Sequence, residues 1–260
     1  MLSDSETLSR RSMAVTAAAA GKPSPLTALL ARWTQMHRHT RNLLSGSRFD
    51  PVAESKIRVE RADTLVAHGQ RYGDFDAMVQ AAQEYRQALR LLDGGGHDIR
   101  TAELQWRLAS ILYEIGWNRA ELRSLGECVS VCRELLAHAK SETPAPADFH
   151  IYRLLGDASS ELAHLQTSAL HFRQAVDAYV KAAKSMEAAG LEEDWCRVQA
   201  NLAHCWEELS VLGLGTEAGW NALEAYEALA VVQTRRCRFA MARIMRDKAR
   251  ELRSTLAGER

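Results

Sequence analysis

Proline is scarce in this chain, with five in 260 residues, and aromatic residues make up only 7%. Together with just fifteen glycines, that leaves too little turn chemistry for an all-β fold of many short strands. Long apolar runs are missing: none approaches the roughly 18 residues of a membrane-crossing helix. There are five cysteines (Cys128, Cys132, Cys196, Cys205 and Cys237) and no CxxC pair. An odd number at mostly helical, apolar positions excludes a disulfide framework and sets the expectation of reduced thiols in a cytoplasmic setting.

Catalytic signals are equally thin. Cys128 and Cys132 lie one helical turn apart, yet no nearby pair of histidines completes the four ligands of a structural zinc site. Gly94-Gly95-Gly96 is no phosphate loop, because no Lys-Ser/Thr follows it. Cys196, His204 and Glu208 share a helix face, as a nucleophile and base would, without an orienting group or an oxyanion cradle. His37 and His39 flank Arg38 with no ligand geometry. The expectation is therefore no enzyme, no metal and no cofactor.

Net charge is absent overall, 33 Lys and Arg against 33 Asp and Glu, but it is unevenly placed. Residues 1–50 carry +4, residues 51–234 carry −10 and residues 235–260 carry +6. An acidic body with basic ends favours charge-complementary contacts at the termini. Residues 1–24, rich in Ala and Ser, read as a disordered tail. Arg10 and Arg11 give that tail some likeness to a transit peptide, which Asp4 and Glu6 oppose. Leu26, Leu29, Leu30, Trp33, Met36 and Leu43 follow a helical period, so 25–52 is expected to be a capping helix and linker.

What the chain does contain is a spacing. Leu65, Leu112, Ser159 and Trp206 stand 47 residues apart. The same step joins Ala62, Ala109, Gly156 and Ala203, and again Tyr85, Cys132, Tyr179 and Tyr226. A period in the range of 20 to 50 residues with helical content marks a stacked array. Each unit reads as two helices, giving expected units at 53–98, 99–147, 148–192 and 193–236 and a C-terminal capping helix at 237–260. In that last helix Cys237, Met241, Ile244, Ala249, Leu252 and Leu256 are expected on the buried side. The small row suits close helix approach, and the Tyr/Cys row would wedge each second helix against the next unit. Gly116 is expected to be a helix C-cap.

Leu108-Ala109 with Gly116, and Leu155-Gly156 with Ala169, Phe172 and Ala175, resemble the tetratricopeptide repeat, whose usual unit is about 34 residues. Asp194-Trp195, Gln199, Asn201-Leu202, Leu209, Gly215-Thr216, Ala225-Tyr226 and Leu229 are similar to the long-helix tetratricopeptide arrays of bacterial proteins. The Asp-Trp and Gly-Thr pairs occur once each. The resemblance covers about 53–260. It implies an all-α, right-handed α-solenoid of antiparallel helix hairpins, about four repeats between capping helices.

The resemblance also implies a non-catalytic scaffold or adaptor for protein–protein interaction, with the first helices lining a concave groove. Positions three before and one after the small residue are Val59 and Asp63, Trp106 and Ser110, Arg153 and Asp157, and Ala200 and His204. Trp106, Arg107, Ser110, Tyr113, Arg153, Asp157, Asn201 and His204 are thus the expected partner-binding set. Trp106 and Tyr113 would anchor apolar side chains, and Arg153 a carboxylate; Trp106 also suits plain inter-helix packing. A clamp on a C-terminal carboxylate would need paired Asn and Lys/Arg where Val59 and Asp63 stand, which argues against it. Arg236, Arg243, Arg246, Arg250 and Arg253 form a basic stripe. It fits an acidic partner, a nucleic acid or anionic lipid, or a solvated cap face. The alternative function is therefore a helical-repeat nucleic-acid binder using the basic ends. Self-association through the open solenoid ends is a further expectation.

Overall fold

The structure, a computed structural model, describes residues 50–92, 99–138, 148–213 and 216–258. The expected tail, N-terminal capping helix, Gly94-Gly95-Gly96 and the Pro-containing loop before Asp148 lie outside the described residues. Those residues form nine helices and no strand: α1 Pro51–Tyr72, α2 Phe75–Leu92, α3 Ile99–Arg119, α4 Leu122–His138, α5 Asp148–Gln166, α6 Ala169–Ala188, α7 Glu192–Val211, α8 Thr216–Arg235 and α9 Phe239–Gly258. Each helix packs on its sequence neighbours, and α3 also touches α5 and α5 touches α7. The result is an all-α solenoid of antiparallel hairpins, with the first helices of successive hairpins side by side on one face. Its buried residues form three successive clusters rather than one central core, as stacking of units requires.

The period recurs in the backbone. Each of three hairpin turns places a residue in the left-handed region, Gly73 at φ 67°, Ala120 at 52° and Thr167 at 49°. In each, an amide two residues beyond the helix returns to a carbonyl five residues back: Asp74 to Gly69, Glu121 to Gly116 and Ser168 to Ala163, all at 3.0 Å. This is the closure that ends helices by satisfying their last carbonyls. The two described turns between hairpins repeat it, with Gly190 and Cys237 left-handed and Leu191 and Arg238 amides donating to Met186 and Gln233.

Gly116 is thus not a cap. Helix α3 runs on to Arg119, Ala120 takes the left-handed position, and Gly116 is buried one turn earlier. A methyl group there would meet the Leu125 side chain at 2.8 Å or closer. Pro51 occupies the first turn of α1, where its missing N–H costs nothing, and the Asp50 carboxylate accepts from the Val52 amide at 2.9 Å. Helix α1 therefore starts two residues before the expected 53.

Helix α9 covers Ala249, Leu252 and Leu256 as expected but differs over its first turns. Its buried face is Ala242, Ala249 and Leu256 with Met245 and Leu252 packed beside them. Met241 and Ile244 are exposed, and Cys237 is exposed in the preceding turn rather than on the helix. The helix packs chiefly on α8, so only a narrow stripe of it is covered.

The row Leu65, Leu112, Ser159, Trp206 occupies equivalent inward positions, the first three essentially without solvent contact. Ser159 fills a seat that holds leucine in the two preceding hairpins, and its hydroxyl has no hydrogen-bond partner there. A buried hydroxyl left unpaired costs about 1 kcal/mol or more. Ser159→Ala is expected to raise the stability in urea unfolding by about 1 kcal/mol.

Candidate functional site

The Tyr/Cys row does more than wedge. Tyr179 lies against Gly156, and its hydroxyl donates to Asp157 at 2.8 Å. Asn201, on the next hairpin, donates to the same carboxylate at 3.2 Å. The equivalent trio in the first hairpin is Asp63, Tyr85 and Arg107: the tyrosine donates to Asp63, and Arg107 reaches both oxygens at 2.8 and 2.9 Å. In the fourth, His204 stands where the acid would be, and Glu207 takes over the carboxylate role one turn later. Tyr226 donates to Glu207 at 2.9 Å and Lys248 of α9 at 2.8 Å. The second hairpin has Ser110, Cys132 and Leu154 at these positions, so no carboxylate seam forms there. A carboxylate on one hairpin, the tyrosine of its second helix and a donor on the next hairpin form the polar stitch between units.

This stitch changes the meaning of three expected partner-binding residues. Arg107 is held by Asp63 and by Glu103 at 2.6 Å, and both partners raise its affinity for its proton. Asp157 is buried and bonded to Tyr179 and Asn201, with Arg153 at 2.9 Å. Burial raises Asp157 above the usual carboxylate range, against the pull of the Arg153 charge and the Tyr179 and Asn201 hydrogen bonds. Burial likewise pushes the Tyr85, Tyr179 and Tyr226 hydroxyls up.

Two clefts open on the face of the first helices. The larger, about 500 Å³, is walled by Trp106, Tyr113 and Trp117 of α3, Phe75 of α2 and Arg153 of α5, with Ser110 and Gln70 at its rim. The smaller, about 200 Å³, contains Asp157, Glu161, His164, Asn201 and His204, with Tyr113 between the two clefts. The expected set is therefore brought together in two groups, and Arg107 alone lines neither cleft. Trp117, Glu161 and His164 were not among the expected residues. The same step finds them: Gln70, Trp117, His164 and Val211 form one row, and Glu114, Glu161 and Glu208 another. Their register across hairpins is visible where Gln70 donates to Glu114 at 3.1 Å.

In the smaller cleft the His164 and His204 rings stack with centroids 5.2 Å apart. Burial and the neighbouring His204 hold His164 below the usual histidine range. Burial and the nearby Asp157 charge raise Glu161. Glu207, facing His204, Lys248 and Tyr226, is held down to about 2.

Four of the five thiols are packing groups, and Cys237 is exposed. Cys128, Cys132, Cys196 and Cys205 are buried. The adjacent Cys132 and burial push Cys128 up, and burial lifts Cys205 to about 11. Cys196 lies two turns from His204 on α7, away from the histidine pair.

The basic stripe is largely spoken for. Arg236 is in the turn before α9, not on the helix, and pairs with Glu193 at 3.4 Å. Arg243 and Arg250 face Asp247 at 3.8 and 3.1 Å, Arg246 donates to the Thr234 hydroxyl at 2.7 Å, and Arg253 pairs with Glu227. No helix among the described residues is long and apolar enough to cross a membrane.

No family model matches the chain, and no curated protein matches it. Among solved structures, the apo form of RapI is 13% identical with a TM-score of 0.42, over 84% of this chain and 59% of that one. MamA from Desulfovibrio magneticus RS-1 is 16% identical at 0.35, over 75% and 96%. The designed helical repeat protein DHR64 is 21% identical at 0.27, over 81% and 100%. The hairpin stack itself defines the class: an all-α helical-repeat solenoid.

Proposed function

We propose that the chain is a non-catalytic scaffold that docks a segment of a protein partner on the face formed by its first helices. The observation that supports it is the pair Trp106 and Trp117 opening on one cleft, Trp117 being 51% exposed. The two stand about three helical turns apart along α3 with Tyr113 between them, and aromatics spaced along one cleft offer rigid apolar anchor points at small entropic cost, the composition of binding hot spots. Arg153, Gln70 and Asn118 around it supply polar contacts for a peptide backbone or carboxylate.

The test is affinity capture with the intact chain, compared with Trp106→Ala/Trp117→Ala and with a control, Leu170→Ala, at an exposed site on the second helix α6. The double variant is expected to lose its partner, by tenfold or more in affinity, while helicity and the control's binding are unchanged (truncated hot-spot aromatics cost about 2 kcal/mol or more). Equal capture by the double variant overturns the reading. Binding to RNA or DNA that weakens steeply with added salt would favour the nucleic-acid alternative instead.

A further inference from the structure

We propose that His164 on α5 with His204 and Glu208 on α7 form a binding site for a divalent transition-metal ion of the Zn²⁺ class, bridging two successive hairpins. One donor atom from each of the three lies within 4.8 Å of the others. Tetrahedral zinc holds its nitrogen and oxygen ligands about 3.3 Å apart at bonds near 2.0–2.1 Å. Both histidines are exposed and Glu208 is partly exposed, so all three side chains are reachable from solvent.

The surroundings are those of a ligand set rather than of a chance cluster. A metal-bound imidazole characteristically turns its second nitrogen to a carboxylate, which fixes the ring and its tautomer. His204 is flanked in that way: Nδ1 is 3.9 Å from Glu207 and Nε2 is 3.8 Å from Glu208. Glu207 is itself anchored by Tyr226 and Lys248 at 2.9 and 2.8 Å, so it can orient His204 while Glu208 and His164 share the ion. Glu161, on the wall of the same cleft, adds a second carboxylate to the site's field. Asp157 on that wall is taken up by Tyr179, Asn201 and Arg153.

The site has a local origin in the repeat. Where the first two hairpins join Gln70 to Glu114, the third and fourth set His164 beside Glu208. At the acid position of the stitch the fourth hairpin carries His204. The donor set of two imidazoles and one carboxylate suits zinc, copper, nickel or iron, and not magnesium or calcium, which take oxygen ligands. Three protein donors leave a coordination position open on the inner face. This inference is independent of the partner reading, since it is tested on the purified chain alone.

The test is titration with Zn²⁺ against a chromogenic chelator near neutral pH, repeated with Co²⁺ for its visible spectrum. Expected are one ion per chain, no competition by excess Mg²⁺, and a higher melting temperature with Zn²⁺ present. His164→Ala, His204→Ala and Glu208→Gln should each weaken binding by about tenfold or more, and His171→Ala on α6 should not. Circular dichroism of each variant without metal shows whether it has kept its fold; should one lose it, the other two carry the test. Binding that survives in the His164→Ala/His204→Ala variant overturns the proposal, as does a thiolate charge-transfer band with Co²⁺ or the lack of saturable binding.

Discussion

Gly156→Val is expected to destabilise the protein by about 3 kcal/mol, the upper end for overpacking a closed interior. A Cβ on Gly156 would lie 2.6 Å from two carbons of the Tyr179 ring and 3.0 Å from a third. That ring is 1% exposed and tethered through its hydroxyl to Asp157, so it has nowhere to go. The loss would appear as a lower midpoint in urea unfolding with an unchanged slope. Gly126, in the middle of α4, is the internal contrast: nothing lies within 4 Å of a Cβ added there. Gly126→Ala should gain about 0.5–1 kcal/mol through helix propensity alone. If Gly156→Val unfolds at the wild-type midpoint, the contact between α5 and α6 is not as close as described.

Asp157→Ala is expected to cost a similar amount, about 3 kcal/mol, for a different reason. It removes the shared acceptor of Tyr179 and Asn201 and the partner of Arg153, leaving a buried hydroxyl and a part-buried guanidinium unpaired. Asp157→Asn keeps an oxygen for both donors and is expected to stay within about 1 kcal/mol of wild type.

The pair also predicts a pH dependence. Burial raises the folded-state pKa of Asp157 above its unfolded value, so the folded protein holds that proton more tightly. The stability tied to the protonated carboxyl is therefore complete below the unfolded value of about 4 and is lost as pH rises through the raised folded value. Asp157→Asn cannot lose it. The stability difference between the two proteins, followed by urea unfolding from acid to neutral pH, should move in favour of Asp157→Asn as pH rises. A difference that stays flat would mean Asp157 is not set above its ordinary range.

Much of the solenoid was legible because stacking imposes the same environment on every unit. Ala62, Ala109, Gly156 and Ala203 had to be small because each meets a second helix, and a chain read at a step of 47 shows that directly. Gly116 was misread because a glycine near a helix end looks like a cap, whereas here the need was room for Leu125 one turn earlier. The start of α9 differs because the helix packs chiefly on α8, so Met241 and Ile244 stay in solvent although their pattern suits burial.

The site was legible only in part. Trp106, Ser110 and Tyr113 of α3 share a cleft with Arg153 of the neighbouring first helix α5. Counting from the small residue does not reach the helix end where Trp117 and His164 sit.

Alone, the amino-acid order determined that this protein is helical, how long its unit is and which positions turn inward. Those follow from local periodicity and from one packing rule repeated in each hairpin. Only the tertiary structure decided which polar side chains serve the fold and which remain for a ligand. Asp157 and Arg107 are taken up by partners 22 to 44 residues away or a helical turn distant, while Trp117, His164 and His204 are left facing a cleft. Such pairing depends on distances across hairpins of about 3 Å, which the spacing along one helix does not encode.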